Sequence, residues 1–245
     1  MKIFRDIDNL PKLSNAVATM GSFDGVHCGH QELLRRTTTL ARERGAESVV
    51  ITFEPHPRYA LGTGGNMKLL TTLEEKLTLF ERAGVDVVLV INFTLEFSQL
   101  SPQEFIEMLY AAGVRCMVVG YNHRFGHKKE GDYNYLESRC EDMEIHLVEQ
   151  QQLSESKVSS TIIRQKITLG MMDKAIEMMA HPYIIKCSVA ADGLCSGIGK
   201  NKLLPAEGLY SARIGNMQTS LTVGRDGELR IGYCSTEGEV MIEIE

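Results

Sequence analysis

Over its first 150 residues the chain alternates apolar, β-branched runs with amphipathic stretches. The clearest run is VDVVLVINF at 85–93, whose unbroken hydrophobicity is typical of a strand buried on both faces. Four further runs predict strands: NAVATMGSF (15–23), SVVITF (48–53), RCMVVG (115–120) and EIHLVEQ (144–150). Between them, apolar residues recur at helical spacing, as at Leu33, Leu34, Thr37, Leu40 and Ala41. The alternation predicts an α/β, Rossmann-like domain with a parallel sheet covered by helices on both faces.

Helix start and stop signals lie at the ends of the predicted helices. Gly45 follows the first predicted helix and Gly84 the second, while Ser101-Pro102-Gln103-Glu104 has the form of a capping box with proline at the first helical position. Open parallel sheets bind ligands outside the carboxyl ends of their strands. The residues directly after each predicted strand are therefore the candidates for chemistry.

The character of the chain changes after His181-Pro182. Residues 159–180 predict two short helices, and residues 183–245 hold short alternating runs separated by Gly, Asn and Asp turns. We therefore predict two domains, an α/β domain at 1–182 and a small β-rich module at 183–245.

The composition limits the classes of partner. A formal net charge of -6 argues against broad binding to nucleic acid or to anionic membranes, which needs a basic face. No stretch approaches about 18 apolar residues, so we expect no membrane span and no signal peptide. The six cysteines form no C-x-x-C pair, which fits a reducing cytoplasm. Small-molecule substrates are the expected partners.

The decapeptide GSFDGVHCGH at 21–30 joins a predicted strand to a predicted helix. Free N–H groups at a helix start attract anions, and glycines permit close backbone approach. His27 and His30 are three residues apart, so both rings can lie on one side of the helix start and donate to phosphate oxygens. The alternatives are a capped loop with incidental histidines and a zinc site. Zinc needs at least a third ligand, and Asp24 and Cys28 are poor candidates for it.

A second segment, Thr52 to Arg58 (TFEPHPR), closes the strand at 48–53. Its two prolines stiffen a loop at a carboxyl strand end. Arg58 is a candidate to hold a substrate phosphate. The alternative is a rigid connector with a solvated arginine.

A third segment, GYNHRFG at 120–126, follows the fourth predicted strand. Arg124 and His123 suit phosphate, and Tyr121 or Phe125 suits a ring pocket.

A fourth segment, VSSTIIR at 158–164, places three hydroxyls before a helical run. One of them should cap the helix, which leaves the others to bind phosphate with Arg164 about one turn further on. Capping alone is the simpler alternative.

Together the four segments resemble the FMN adenylyltransferase domain of the prokaryotic bifunctional riboflavin kinase/FAD synthetase family. That family shows a G-x-F-D-G-V-H-x-G-H turn, an F-x-P-H-P segment, a G-x-[DN]-[FH]-x-F-G segment and an S-S-T-x-I-R segment. The similarity covers roughly residues 14–182, in the same order. It implies transfer of AMP from ATP to FMN with Mg²⁺, giving FAD and pyrophosphate.

The resemblance also implies roles for individual residues. The ATP phosphates would be held by His27, His30, Ser160, Thr161 and Arg164, while Ser159 and Asp24 belong to the same nucleotide-binding segments. Backbone contacts to the nucleotide would come from Ser22, Phe23 and Gly29, which would also help to bind its adenosine part. The flavin nucleotide would face Asn122, Arg124, Pro55, His56 and Arg58. Relatives often carry an acidic residue at position 122, where this chain has Asn122. The resemblance therefore identifies no metal ligand in this chain.

The C-terminal module departs from the family. Its G-[RK]-x-L-G-F-P-T-A-N segment, whose Thr and Asn serve metal and phosphate, is absent, and GIGKNK at 197–202 runs almost directly into LPAEGLY. Glu239 or Glu243 would be the substitutes for the family's catalytic glutamate. We therefore expect a shortened, degenerate riboflavin-kinase-like barrel without kinase activity, which shields the cleft or mediates self-association as a homo-oligomer.

Two other functions stay open at this point. One is a nucleotidyltransferase acting on a different phosphorylated acceptor, and the other is a non-catalytic flavin or nucleotide sensor. Retention of the phosphate-binding residues ranks the sensor last.

Overall fold

A computed structural model of the chain describes residues 1–140, 142–149, 152–153, 156–232 and 237–245. Its strands are β1 (Lys2–Arg5), β2 (Ala16–Met20), β3 (Ser48–Glu54), β4 (Val87–Asn92), β5 (Val114–Gly120), β6 (Glu144–Val148), β7 (Gln152–Leu153), β8 (Ser156–Lys157), β9 (Tyr183–Val189), β10 (Cys195–Ser196), β11 (Gly208–Ile214), β12 (Met217–Val223), β13 (Leu229–Ile231) and β14 (Gly238–Ile244). Its helices are α1 (Cys28–Glu43), α2 (Pro57–Ala60), α3 (Leu73–Arg82), α4 (Pro102–Ala111), α5 (Tyr133–Arg139), α6 (Ser160–Thr168) and α7 (Met172–Met179). No helix in the described ranges is long and apolar enough to cross a membrane.

Six strands form a wholly parallel sheet in the order β1-β4-β3-β2-β5-β6. The five strands predicted from the apolar runs are all present, and β1 is an additional edge strand paired with β4. Because the chain adds strands first on one side of β2 and then on the other, the order reverses between β2 and β5. The predicted parallel α/β fold is confirmed.

Alternate residues of the strands point into two separate cores. Ala18 and Met20 of β2 lie in the core that contains the apolar face of α4. Val17 lies in the other core, with Leu40 and Ala41 of α1. Helices therefore cover both faces, as the unbroken hydrophobicity of these strands predicts.

The predicted capping box at the start of α4 is confirmed. The Ser101 hydroxyl accepts from the Glu104 N–H at 3.2 Å, and the Glu104 carboxylate accepts from the Ser101 N–H at 2.8 Å. Gly45 and Gly84 end α1 and α3 with φ of 61° and 75°, a region that side chains other than glycine rarely adopt.

The strands of the C-terminal module form an antiparallel sheet in the order β10-β9-β14-β11-β12-β13. A bridge between Leu194 and Arg230 joins the β10 side to the β13 side, so the sheet nearly closes into a barrel. Apolar residues of α6 and α7, including Ile163 and Met179, share its core with Ile185 and Leu221. The predicted β-rich module and the two helices before it are confirmed.

The chain divides into two compact units that interleave along the sequence. The first comprises Met1–Phe23, Gly29–Asn66 and Leu77–Gln150, and the second comprises Asp24–Cys28, Met67–Lys76 and Gln151–Glu245. The helices α6 and α7 thus belong with the barrel, together with two short stretches from the first half of the chain. The assignment of 1–182 and 183–245 as functional domains stays a prediction.

Four of the six cysteines have buried side chains, among them Cys116 in β5 and Cys187 in β9. Burial raises the pKa of the Cys116 thiol to about 11, which makes it unreactive at neutral pH. Cys234 lies outside the described residues.

Candidate active site

Three of the four candidate segments leave the parallel sheet at the same edge. The decapeptide follows β2, the FEPHP segment begins at the last two residues of β3 and runs past its end, and GYNHRFG begins at the last residue of β5. Since β3 and β5 both pair with β2, these loops belong to neighbouring strands. The strand order reverses between β2 and β5. Open α/β sheets bind ligands at such a reversal, outside the carboxyl ends of the strands.

Phe23 anchors the start of the decapeptide in the first unit. Its side chain is buried, and its ring packs edge-on against Phe80 at 5.4 Å and against the His30 ring at 5.2 Å between centroids. The Gly21 N–H donates to the Ile51 carbonyl of β3 at 3.0 Å. The contact with Phe23 fixes the His30 ring on the first turn of α1. Because the Phe23 side chain is buried, this residue can contact a ligand through its backbone but not through its ring.

His56 forms the start of the short helix α2. Its Nδ1 accepts from the Arg58 N–H at 3.2 Å, which makes His56 the N-cap residue. Pro55 and the Arg58 residue are exposed beside it. The capping bond sets the direction of the His56 ring at the carboxyl end of β3.

The loop after β5 is closed by a two-way backbone pair between Phe125 and Gly131, at 3.0 Å in both directions. Arg124 forms an ion pair with Asp132, the N-cap residue of α5. Asn122 is exposed on the same loop. The four sequence motifs do not include Asp132, which partly neutralises the Arg124 guanidinium that the resemblance assigns to the flavin nucleotide.

His123 stacks on Phe125, with ring centroids 5.5 Å apart. Its Nε2 is buried and makes no hydrogen bond in the described structure. Burial lowers the pKa of the ring to about 4, so His123 is neutral at physiological pH. It therefore offers this loop an aromatic face and a neutral polar atom instead of a cation.

Asp24 lies in the second unit and is buried. Its Oδ1 accepts from the N–H groups of Leu70 and Thr71 at 2.8 and 3.2 Å, and its Oδ2 accepts from Arg164 at 2.5 Å. Burial raises the pKa of this carboxyl, and the Arg164 charge and the two N–H donors oppose that rise. The contacts tie the decapeptide to the SSTIIR helix across 140 residues of sequence.

The three hydroxyls before α6 take different positions. Ser159 is the N-cap residue and accepts from the Ile162 N–H at 3.4 Å, which confirms the capping prediction. The Ser160 hydroxyl donates to the Asp24 carbonyl at 2.9 Å, and Thr161 is exposed. Ser160 and Arg164 thus both hold Asp24, and Thr161 is more exposed than the two half-buried serines.

Gly25 is fixed on both sides of its backbone. Its N–H donates to the Thr71 hydroxyl at 2.9 Å, and its carbonyl faces Nε2 of His181 at 2.9 Å. Its φ is 81°, and a Cβ at this position would lie 2.6 Å from Leu70 Cδ1. Only glycine fits here without displacing Leu70.

His27 follows two residues later and is half-buried. Burial of the side chain, together with a smaller electrostatic effect of His181, lowers the pKa of its ring to about 4, although a backbone hydrogen bond opposes this shift. His27 is therefore neutral at physiological pH. A neutral imidazole still donates one hydrogen bond, so its predicted contact with phosphate does not need a charge.

The two glutamates that were candidates for a kinase role are held by basic partners. Glu239 pairs with Lys186 at 3.3 Å and is exposed, whereas Glu243 is buried and pairs with Arg213 at 2.5 Å. Within the described ranges, no group of three or more His, Cys, Asp or Glu residues is placed to hold a metal ion.

A family model described as FAD synthetase matches residues 10–162, which is more than half of the chain. The chain belongs to the FAD synthetase family. Relatives of this FAD synthetase family member include a "Bifunctional riboflavin kinase/FMN adenylyltransferase" of Listeria monocytogenes, which is 34% identical over 89% of this chain and 73% of the relative. The protein of the same name from Escherichia coli is 32% identical over 87% of this chain and 73% of its own length.

A protein named "FAD synthetase" from Listeria monocytogenes is 31% identical to this family member, over 82% of each chain. A crystal structure titled as a macrolide-efflux protein from Streptococcus pneumoniae superposes with a TM-score of 0.84 at 25% identity, covering 99% of this chain and 88% of that one. The structural likeness supports the fold described above, a parallel sheet with helices and an antiparallel barrel.

Proposed function

We propose that this FAD synthetase family member transfers AMP from ATP to FMN, giving FAD and pyrophosphate. The observation that carries the proposal is that three candidate segments leave the parallel sheet at the same edge, from the strands beside the point where the strand order reverses. The names of the relatives support the same reaction.

In this reaction a phosphate oxygen of FMN attacks the α-phosphorus of ATP in line. The new P–O bond forms as the bond from the α-phosphorus to the bridging oxygen breaks, and pyrophosphate leaves with that electron pair. No covalent enzyme intermediate is needed. Positioning of the two substrates and stabilisation of the departing charge then supply most of the rate enhancement.

For the ATP phosphates we propose His27, His30, Ser160, Thr161 and Arg164. His27 would act as a neutral hydrogen-bond donor, since its depressed pKa keeps it uncharged. Arg164 supplies positive charge, and its ion pair with Asp24 fixes the guanidinium before any nucleotide binds. Ser160 contributes by holding the Asp24 carbonyl, and Ser159 by capping α6.

For the remaining parts of the substrates we propose two groups. Ser22, Phe23 and Gly29 would contribute backbone contacts to the adenosine side. Asn122, Arg124, Pro55, His56 and Arg58 would face FMN, in loops that follow β5 and β3.

Mg²⁺ fits this chemistry when it is carried by the nucleotide. Magnesium is usually held by substrate phosphates, water and one or two protein oxygens. When bound, the ion would neutralise phosphate charge, and we assign it no protein ligand.

The decisive experiment incubates the protein with ATP, Mg²⁺ and FMN under reducing conditions and follows FAD by chromatography. We expect FAD and pyrophosphate in equal amounts. No FAD together with adenylylation of another phosphorylated acceptor would favour the first alternative function. Binding of both nucleotides without any product would favour a sensor.

We also propose that riboflavin kinase activity is absent. The kinase segment that carries Thr and Asn is missing between β10 and β11, and Lys202 of the GIGKNK segment is buried in an ion pair with Glu75. Incubation with riboflavin, ATP and Mg²⁺ should yield no FMN. Formation of FMN by the pure protein would overturn this proposal.

The proposed setting is the cytoplasm, with ATP and FMN as the partners and no nucleic acid. Cell fractionation tests the location. Light scattering of the purified protein tests whether the C-terminal module mediates a homo-oligomer.

A further inference from the structure

The loop 24–28 depends on one histidine that lies outside the four motifs. His181 follows Ala180, which ends α7 in a left-handed conformation with φ of 58°. The half-buried His181 side chain reaches back to the Gly25 carbonyl, with 2.9 Å between Nε2 and the oxygen. Gly25 is held from its other side by Thr71, so His181 completes the fixation of this peptide.

Both ring nitrogens of His181 face carbonyl oxygens. Nδ1 lies 2.7 Å from the Pro182 carbonyl, and Nε2 lies 2.9 Å from the Gly25 carbonyl. A carbonyl oxygen only accepts hydrogen bonds, whereas a neutral imidazole has a single N–H to donate. The doubly protonated ring alone satisfies both contacts, and hydrogen bonds to a charged form stabilise that form.

We propose that His181, as an imidazolium, is a positioning residue that holds the loop 24–28, and with it His27, in place for the ATP phosphates. The proposal rests on the proposed function for the identity of the ligand. Loss of the second proton removes one N–H, so one of the two carbonyls loses its hydrogen bond. The loop should therefore bind ATP less well as the pH rises.

The surrounding charges are consistent with this role. The titratable groups that the structure places around the loop include His27, the Asp24–Arg164 pair, Lys76 and Tyr183. The buried Glu75–Lys202 ion pair also acts on Asp24 and Tyr183, and its two charges offset each other. His27 is neutral, Arg164 offsets Asp24, and burial keeps the Tyr183 hydroxyl protonated because it raises the pKa well above the ordinary value. A positive His181 would then add net positive charge behind a loop that receives triphosphate.

The test compares two variants with wild type and a matched control. His181→Leu removes both donors, whereas His181→Gln keeps one amide donor that does not titrate. His146→Gln alters another partly buried histidine, which pairs with Glu144 on β6 and lies outside every motif. ATP and FMN dissociation constants are measured by calorimetry, and the KM for ATP and kcat by FAD formation, between about pH 6 and pH 9.

We expect His181→Leu to weaken ATP binding about tenfold, the size expected from loss of a hydrogen bond to a charged group. FMN binding should change less than about twofold, and thermal unfolding should show that the variant is folded. His181→Gln should recover much of the ATP affinity but lose the decline at high pH. His146→Gln should match wild type in both respects.

Nitrogen NMR of the ¹⁵N-histidine-labelled protein, assigned with the His181→Gln variant, reads the protonation state directly. Protons on both ring nitrogens at neutral pH are expected. A neutral ring, or unchanged ATP affinity in His181→Leu, would overturn the inference. If wild type makes no FAD while the ATP affinities change as described, the proposed function fails and the role of His181 stands.

Discussion

The ion pair between Lys202 and Glu75 is the sharpest target for a stability measurement. Both side chains are fully buried, and Lys202 Nζ donates to Glu75 Oε2 at 2.8 Å and to the carbonyls of Leu70 and Ile184 at 2.6 Å each. The ammonium also lies 4.1 Å from the centre of the Tyr183 ring. All three N–H bonds of the lysine are therefore used.

Lys202→Met keeps most of the side-chain volume and removes the charge. Two carbonyls lose their donor, and the Glu75 carboxylate stays buried, where it accepts from the N–H groups of Thr72 and Lys186 at 2.8 and 2.9 Å but has lost its ion-pair partner Lys202. Removal of one partner of a buried pair costs about 3–5 kcal/mol. Adding Glu75→Gln removes the uncompensated charge, so the double variant should be more stable than the sum of the single effects by about 0.5–3 kcal/mol.

Urea unfolding at neutral pH, followed by circular dichroism and by tyrosine fluorescence, measures these differences. Lys2→Met is the matched control, because Lys2 pairs with Glu47 at 3.1 Å with 69% of its side chain exposed. That exposed pair should contribute less than about 1 kcal/mol. If Lys202→Met costs no more than this control, the pair is not buried in solution and the reasoning fails.

Three further outcomes are expected. Gly25→Ala should cost about 1–3 kcal/mol of stability and at least about tenfold in FAD formation, because its φ is 81° and its Cβ would meet Leu70 at 2.6 Å; normal activity would contradict the fixed loop. His27 and His123 have pKa values of about 4 in the folded chain against 6.5 ordinarily, so the unfolded chain binds more protons as the pH falls from 6.5 to 4. Each histidine should therefore lower the free energy of unfolding by up to about 3 kcal/mol over this range, which is measured as a fall in the urea midpoint. His30→Ala should lower turnover at least about 100-fold with a nearly unchanged unfolding midpoint, and unchanged turnover would remove His30 from the mechanism.

The parallel sheet was predictable because its strands are buried on both faces. That burial demands unbroken apolar runs such as 85–93. The runs predict both the strands and the sheet edge that three of the four motifs follow. Strand β1 was missed because its four residues, KIFR, are mostly exposed and carry no such run. Helix α5 was missed because its start signal, Asp132, lies inside a charged stretch that reads as a loop.

The candidate site was predictable only as separate segments. Local patterns identified the residues that come after each strand. They also predicted the capping box at Ser101 and a cap from one of the three hydroxyls before α6, which the structure identifies as Ser159. The ion pair of Asp24 with Arg164 joins residues 140 positions apart, and periodicity carries no information about such pairing. His181 was missed because a single histidine next to a proline shows no pattern until its ring is placed against Gly25.

The interleaving of the two units bears on any attempt to dissect the protein. A fragment ending at residue 182 would keep all four motifs and still lose Lys202 and the Lys186 N–H, which both donate to the Glu75 carboxylate. The stretch Met67–Lys76 would then lose the bonds that Lys202 makes to Leu70 and Glu75. This matters for the site because the N–H groups of Leu70 and Thr71 hold the Asp24 carboxylate. We expect the loop that carries His27 to be less well ordered in such a fragment than in the full chain. Residues beyond the fourth motif thus support the segment that holds Asp24, and separating the two predicted domains would remove that support.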